Sequence, residues 1–195
     1  MFLTKLLLDV KFCRQEKISD AYGIHRTVYS MFPPQEGSQR ILYADRGPRR
    51  DGREIVILSG VQPELPPDVQ ASTLRIGERF FAAREYRFEV LLNPVKCNPK
   101  TRKREPVIGQ LPLLNWFVGH AEQWGFQADP ETLELFVRPS LSFVKGGHAY
   151  RLHSVQFRGV LRVTAPERFR QSFTAGLGHG KAFGFGLLQL MPVQQ

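Results

Sequence analysis

A tyrosine, a histidine and an arginine stand close together in a stretch whose apolar spacing predicts a helix. Tyr22 and His25 are three residues apart, so a helix would project them from one face, with Arg26 adjacent. A neutral imidazole accepts or donates a proton near pH 7, a phenol can relay one, and a guanidinium can stabilise a reacting phosphate. A surface or helix-capping role for the histidine is the alternative.

The segment GLGHGKAFGFG, residues 176–186, is the most distinctive part of the sequence. Glycine permits positive φ and a close approach of the backbone, so amide N–H groups could face a phosphate here, beside Lys181. The segment is not a P-loop, because Ala182 follows the lysine, and no helix opens after it as a dinucleotide fingerprint requires. A tight packing turn before the last strand is the alternative. The glycines concerned are Gly176, Gly178, Gly180, Gly184 and Gly186.

Residues 96–104 (KCNPKTRKR) form a run with five positive charges and no carboxylate. Such a run could contact phosphates along a nucleic-acid groove, and the alternative is a solvated hairpin tip. A second basic turn, residues 46–53, is partly offset by Asp51 and is the weaker candidate. The cations of the first run are Lys96, Lys100, Arg102, Lys103 and Arg104.

The composition narrows the class of partner. The chain has 195 residues, with 27 Lys and Arg against 18 Asp and Glu, and a formal net charge of +9. A polyanion, either nucleic acid or an anionic membrane surface, is therefore the expected partner. The sequence lacks an apolar run long enough for a membrane span or a signal peptide, so we expect a cytoplasmic protein. Cys13 and Cys97 lack companions at zinc spacing, so we expect no metal and no cofactor.

The elements that must position these residues alternate between strands and helices. Apolar patterning predicts strands at residues 2–11, 40–44, 54–58, 79–92, 133–137, 141–144, 154–164 and 187–191. It predicts helices at residues 21–32, 111–125 and 165–176. Ser19-Asp20 would begin the first helix and Pro33-Pro34 would stop it.

Two successive runs of strand, helix, strand, strand, helix or turn, and strand indicate an α+β protein. The order fits two tandem ferredoxin-like (RRM-like) βαββαβ domains. We place the N-terminal domain, with the His25 helix, at residues 1–90. The C-terminal domain, with the basic hairpin and the Gly-rich segment, would occupy residues 91–195. The duplication is architectural, since the sequence has no convincing repeat.

Five segments together resemble, in order and spacing, the CRISPR repeat-processing endoribonucleases of the CasE family, which serve the type I-E Cascade complex. They are MFLTKLLLD, YGIHRTVYSMFP, YRFEVLLNPVK with the basic residues after it, VQFRGVLRV and GLGHGKAFGFGLLQLMPV. The resemblance extends over nearly the whole chain. The helix with His25 and the Gly-rich segment are its most specific parts.

This resemblance implies metal-independent cleavage of precursor CRISPR RNA at the base of the repeat hairpin. Attack by the 2′-hydroxyl would leave a 2′,3′-cyclic phosphate and a 5′-hydroxyl, and the protein would keep the mature crRNA and join other Cascade-type subunits. Tyr22 and His25 match the family's Tyr-x-x-His pattern, with His25 as principal acid or base and Tyr22 assisting. Arg26 or Lys181 would supply a cation for the phosphate. His179 is a departure from the proline-containing form of the family's loop.

Three other functions compete with this interpretation. A non-catalytic CRISPR RNA-binding subunit of the same fold would use Tyr22 and His25 for packing or base stacking. A processing enzyme of a type IV system would differ in the RNA it prefers. A basic membrane-surface protein is disfavoured, since the sequence has no basic amphipathic helix or lipidation signal.

Overall fold

The computed structural model describes residues 1–33 and 40–193, so the predicted helix stop at Pro34 lies outside the described residues. The helices are α1 (Val10–Gln15), α2 (Ala21–Ser30), α3 (Gln110–Ala121) and α4 (Pro166–Ala175). The strands are β1 (Phe2–Asp9), β2 (Leu42–Pro48), β3 (Gly52–Ser59), β4 (Gln70–Arg75), β5 (Glu85–Leu92), β6 (Val95–Cys97), β7 (Arg104–Pro106), β8 (Phe126–Ala128), β9 (Glu134–Lys145), β10 (His148–Val163) and β11 (Gln189–Pro192).

The first sheet has the strand order β2-β3-β1-β4, and every neighbouring pair is antiparallel. This is the order of a ferredoxin-like sheet. Alternate residues of β1 and β3, including Leu6, Leu8 and Ile55, are buried against Ile24 and Val28 of α2. Residues 60–69 connect β3 to β4 without a helix, so this unit lacks the second helix of the ferredoxin-like pattern.

The second sheet repeats the same order as β11-β5-β10-β8, and β9 also pairs with β10. Strand β8 pairs with the end of β10 and β9 pairs with its earlier part. The two strands therefore share one position of the ferredoxin-like sheet, interrupted by residues 129–133. Buried aromatic residues, among them Phe117 of α3 and Phe169 of α4, pack with Phe157 of β10 in one core.

The two sheets are held together by a shared apolar core and by several polar contacts. Leu42, Val56 and Leu58 of the first sheet lie in the same buried cluster as Leu187 and Leu188, which precede β11. Arg46 makes one of these polar contacts, between β2 and β11. Its Nη1 donates to Glu54 Oε1 at 3.3 Å, and its Nη2 donates to Gln189 Oε1 of β11 at 2.7 Å.

The expected α+β fold of two tandem ferredoxin-like units is confirmed. The helices predicted at residues 21–32, 111–125 and 165–176 correspond to α2, α3 and α4. The boundary placed at residue 90 falls inside β5, which belongs to the second sheet. The division of the chain into domains stays a prediction.

Several elements differ from the sequence-based expectation. The first predicted strand ends at Asp9, whose side chain accepts from Phe12 N at 2.6 Å and caps the short helix α1. Strand β4 was not predicted because its sequence, QASTLR, is polar and mostly exposed at the sheet edge. Strand β8 was not predicted because it has only three residues. Residues Glu78–Ala82 form a 3-10 turn, so the long strand predicted from residue 79 begins at Glu85.

Strands β9 and β10 are longer than predicted and form a hairpin with Gly146 and Gly147 at its turn. The two strands predicted at 133–137 and 141–144 are one continuous β9, which passes Pro139 at a register shift opposite Leu152/Ser154. Proline is tolerated at such an irregularity because the ladder lacks a regular hydrogen bond there. The hairpin consequently extends to Lys145 and His148, and β9 approaches α2.

Candidate active site

Helix α2 positions His25 through a firmly fixed first turn. Asp20 is its N-cap, and the carboxylate accepts a hydrogen bond from Gly23 N at 2.8 Å, as the sequence predicted for Ser19-Asp20. The face formed by Ala21, Ile24 and Val28 is buried. His25 lies on the flank of that face, half-buried, where the Gly-rich segment passes over the helix.

The Gly-rich segment brings one backbone carbonyl to the imidazole. Residues Lys181–Phe183 form a 3-10 turn, and His25 Nδ1 lies 2.8 Å from the carbonyl oxygen of Ala182. A carbonyl oxygen only accepts hydrogen bonds, so Nδ1 is the protonated ring nitrogen. The neutral imidazole then carries its lone pair on Nε2. The geometry therefore presents a proton acceptor, held in one tautomer by the backbone.

A second donor fixes the same carbonyl. Tyr43 Oη of β2 donates to Ala182 O at 3.1 Å, and Tyr43 is only 1% exposed. Burial, together with the charge of Asp45, raises the pKa of the Tyr43 phenol far above its ordinary value. The hydroxyl therefore keeps its proton over the working pH range and remains a donor.

Three aromatic rings surround the imidazole. The ring centroid of Tyr29 lies 4.3 Å from that of His25, and the centroid of Phe183 lies 5.4 Å from it. Tyr22 stacks at 6.0 Å with an interplanar angle of 21°, which confirms that Tyr22 and His25 share a helix face. The Arg26 guanidinium lies 5.7 Å from the centroid of the Tyr22 ring. These rings restrict the imidazole to one orientation.

The electrostatic environment keeps His25 neutral. Burial lowers the pKa of the imidazole, and the charge of Lys145 lowers it further, although the hydrogen bond to Ala182 opposes both. Lys145 ends β9, at the tip of the long hairpin. Since the net effect disfavours the imidazolium, the neutral imidazole is the favoured form of His25 at neutral pH.

Lys181, one of the predicted phosphate-binding cations, lies one residue before the carbonyl that binds the imidazole. It is half-buried. Burial lowers the pKa of the Lys181 ammonium, and the charge of Arg40 lowers it further. A lowered pKa makes this ammonium a stronger acid than an ordinary lysine.

Packing explains the glycines of the Gly-rich segment. Gly186 has a φ of +82°, and a Cβ there would lie 2.3 Å from the carbonyl oxygen of Leu177. Gly176 has a φ of +74°, and its Cβ would lie 2.6 Å from the Leu42 side chain. Larger residues would push the segment away from β2. Glycine at these two positions therefore permits the tight packing of the segment, and the role of the glycines as phosphate ligands stays a prediction.

The five predicted hairpin cations lie on β6, β7 and the turn between them, a two-stranded sheet separate from the His25 cluster. All five are exposed: Lys96, Lys100, Arg102, Lys103 and Arg104. Within residues 1–33 and 40–193, none of them forms an ion pair. Their side chains are therefore available to a polyanion.

The charge of Arg104, on the β6–β7 hairpin, acts on His179 of the Gly-rich segment. Burial lowers the pKa of His179, and the charges of Arg104 and Lys181 lower it further. The second basic turn behaves differently, since Arg46 and Arg49 pair with the buried carboxylate of Glu54. The charges of Arg46 and Arg49 are therefore offset by Glu54, whereas the sequence predicted Asp51 as the offsetting charge.

Four residues of the site were not singled out from the sequence: Tyr29, Tyr43, Lys145 and Phe183. Tyr29 had a local signal, because it follows His25 by four residues on the same helix. The other three are Tyr43, Lys145 and Phe183. They are far from His25 in the sequence, and only the folded chain brings them near the imidazole or its carbonyl partner. Among the described residues, no group of three or more His, Cys, Asp or Glu side chains could hold a metal ion. No helix in this part of the chain is long and apolar enough to cross a membrane.

Comparison with known proteins identifies the class to which this fold and site belong. The family model described as CRISPR associated protein matches residues 1–192. The chain belongs to this family of CRISPR-associated proteins, which confirms the resemblance seen in the sequence.

Among its relatives is the CRISPR-associated endoribonuclease Cse3 of Thermus thermophilus, 27% identical, with 98% of this chain and 100% of the relative covered. A structure of CRISPR endoribonuclease Cse3 bound to 19 nt RNA superposes with a TM-score of 0.87 at 24% identity, covering 98% of this chain and 100% of the other. A chain of a CRISPR RNA-guided surveillance complex in a pre-nicking state superposes with a TM-score of 0.72 at 17% identity, covering 99% of this chain and 100% of that chain.

Proposed function

We propose that this protein is an endoribonuclease that cleaves precursor CRISPR RNA at the base of the repeat hairpin, independently of metal ions. The observation that carries the proposal is the hydrogen bond from His25 Nδ1 to Ala182 O, which leaves Nε2 as a proton acceptor. The family and the endoribonuclease name of the Thermus relative support the substrate class.

RNA contains its own nucleophile, so the enzyme needs a base, an acid and charge stabilisation. In the proposed reaction His25 Nε2 takes the proton of the 2′-hydroxyl, and the 2′-oxygen attacks the adjacent phosphorus in line. The bond from phosphorus to the 5′-oxygen then breaks. The products are a 2′,3′-cyclic phosphate and a 5′-hydroxyl. The nucleophile and the leaving group both belong to the RNA, and the protein only accepts one proton and donates another.

The leaving 5′-oxygen requires a proton, which we assign to the Lys181 ammonium. Burial and the charge of Arg40 lower the pKa of this group, which favours its action as an acid. Lys145, whose charge acts on His25, supplies positive charge for the phosphorane. Tyr22 assists from the same helix face, and Arg26 beside it contacts phosphate.

Binding of the RNA stem would use the exposed cations of the β6–β7 hairpin. An A-form stem hides its base edges in a deep, narrow major groove, so recognition depends on phosphates, shape and the end of the helix. The protein would keep the mature crRNA as a subunit of a Cascade-type surveillance complex in the cytoplasm. Its similarity to a chain of a surveillance complex is consistent with this assignment.

Single-turnover cleavage of a labelled CRISPR-repeat hairpin in EDTA tests the proposal. Wild type should cut at one site, and a 2′-deoxy substitution at the scissile nucleotide should abolish cutting. His25→Asn, which can keep a donor toward Ala182 O but loses Nε2, should bind RNA like wild type and cut about 100-fold to 10,000-fold more slowly. Tight binding without cutting by wild type would instead identify a non-catalytic RNA-binding subunit.

A further inference from the structure

The β9–β10 hairpin carries an aromatic pair on the face that approaches the His25 cluster. Phe143 of β9 and Tyr150 of β10 are directly opposite each other in the strand register, and Lys145 and His148 are the next pair on that face. The charge of Lys145 reaches His25. Tyr150 therefore lies on the side of the hairpin that is turned toward the candidate active site.

A continuous series of ring contacts links Tyr150 to the imidazole. The rings of Tyr150 and Phe143 are nearly parallel, with an interplanar angle of 11° and centroids 5.3 Å apart. Phe143 lies 4.1 Å from Phe183, and Phe183 lies 5.4 Å from His25. The position of Tyr150 is thus fixed by contacts that end at the imidazole.

The two rings of the pair differ in exposure. Phe143 is 5% exposed, whereas Tyr150 is 44% exposed. A large aromatic ring that is held flat by a buried ring, with its other side open to solvent, is preorganised to stack on a further planar group. Lys145 belongs to the next residue pair on the same face and supplies a cation there, so an anionic planar ligand fits this surface.

We propose that Tyr150 is a stacking platform for an unpaired nucleobase of the bound RNA, next to the phosphate at which His25 acts. The inference rests on the proposed function for the identity of the ligand. Unpaired bases at the ends of RNA stems stack on aromatic side chains, which tolerate any base because each has a π-face. Tyr150 would hold the nucleotide beside the scissile bond, so that the 2′-hydroxyl stays in line. It is a positioning residue, which touches the RNA away from the reacting atoms.

A fluorescent base reports this contact directly. Repeat hairpins carry 2-aminopurine at single positions flanking the scissile phosphate, with a 2′-deoxy group that prevents cutting. Wild type should quench one of these positions on binding, and Tyr150→Phe, which keeps the ring, should quench it equally. Tyr150→Leu should lose the quenching and bind about tenfold more weakly. Phe136→Leu is the matched control, because Phe136 is a 38% exposed aromatic residue of the same hairpin, outside the ring series.

Each outcome is decisive. The proposal is overturned if Tyr150→Leu quenches and binds like wild type, or if Tyr150→Phe loses both, since the hydroxyl and not the ring would then be responsible. Thermal unfolding of the variants shows whether a loss of quenching is caused by misfolding. If Tyr150→Leu is misfolded, Tyr150→Trp is tested in its place and should quench at least as strongly as wild type. If wild type quenches the 2′-deoxy hairpin but fails to cut the same hairpin with its 2′-hydroxyl restored, the proposed nuclease function is overturned and the stacking platform stays intact. Cutting without Tyr150-dependent quenching would do the reverse.

Discussion

The imidazole of His25 and the phenol of Tyr43 donate to one acceptor, the carbonyl oxygen of Ala182, at 2.8 Å and 3.1 Å. A carbonyl oxygen has two lone pairs and can satisfy both donors. Tyr43 belongs to the first sheet, and the carbonyl belongs to the segment before the last strand. The orientation of the imidazole therefore depends on a sheet residue that never contacts the RNA in the proposed reaction.

Tyr43→Phe isolates this orienting role. The ring stays in its buried position, but Ala182 O loses one of its two donors. We expect the free energy of unfolding to fall by about 1 kcal/mol, the usual net value of one hydrogen bond. We expect cleavage to slow by less than about tenfold, since His25 keeps its own bond. Urea unfolding and single-turnover cleavage measure the two effects, and a loss of cleavage equal to that of His25→Asn would contradict the assignment.

The pH dependence of cleavage should have two limbs. The pKa of His25 is lowered from its ordinary value of 6.5, and the base must be unprotonated, so the rate should fall as the pH drops below that lowered pKa. The pKa of Lys181 is lowered from 10.5, and the acid must be protonated, so the rate should also fall as the pH rises toward that lowered value. A single-turnover pH–rate profile tests both limbs. A rate that falls as the pH rises through about 5 to 7 would reverse the role of His25.

Lys145→Met should shift the pH at which the cleavage rate falls on the acidic side of that profile. The charge of Lys145 lowers the pKa of His25, so its removal should raise that pKa and shift the limb to higher pH. Arg151→Gln, which removes an exposed positive charge from the same hairpin, is the control and should shift it less. An unchanged limb in Lys145→Met would show that the lysine acts elsewhere.

The assignment of Lys181 as the acid is tested with a modified leaving group. A substrate with sulfur in place of the scissile 5′-oxygen leaves without protonation, so it does not require an acid. Lys181→Met should cut the ordinary RNA about 100-fold or more slowly and cut the sulfur substrate at close to the wild-type rate. Lys145→Met should be impaired on both substrates. Equal impairment of Lys181→Met on both substrates would assign the proton to another group.

Neutralising the β6–β7 hairpin should weaken RNA binding in proportion to the number of phosphates that its cations contact. Replacing Lys100, Arg102 and Lys103 by Gln should make the fall of log K with log salt less steep. The slope should decrease in magnitude by about one unit for each phosphate that is no longer neutralised. The control replaces Arg158 and Arg162, which already pair with Glu134 and Glu85, and should leave the slope nearly unchanged. Identical slopes in wild type and hairpin variant would mean that the hairpin is only solvated.

The sequence predicted what depends on neighbours along the chain. Tyr22 and His25 share a helix turn, and Asp20 caps the helix that carries them, so their proximity followed from spacing alone. The ferredoxin-like order followed from the alternation of strands and helices. The short strand β8 and the polar edge strand β4 had no such pattern, because three residues have no period and an exposed edge does not alternate.

The remaining parts of the site depend on contacts across the fold. Tyr43 and Ala182 are 139 residues apart, and His25 and Ala182 are 157 residues apart. No local pattern marks a carbonyl oxygen as the partner of an imidazole. Lys145 could not be predicted either, since its distance from His25 depends on the unexpected length of the β9–β10 hairpin.

The wide separation of His25 and Ala182 also has a consequence for synthesis on the ribosome. A nascent chain that has released its first sheet already carries the imidazole of His25, but the carbonyl that selects its tautomer is translated 157 residues later. Such a partial product carries the histidine without its orienting partner. In the proposed reaction, the oriented base therefore exists only after the Gly-rich segment has packed against α2.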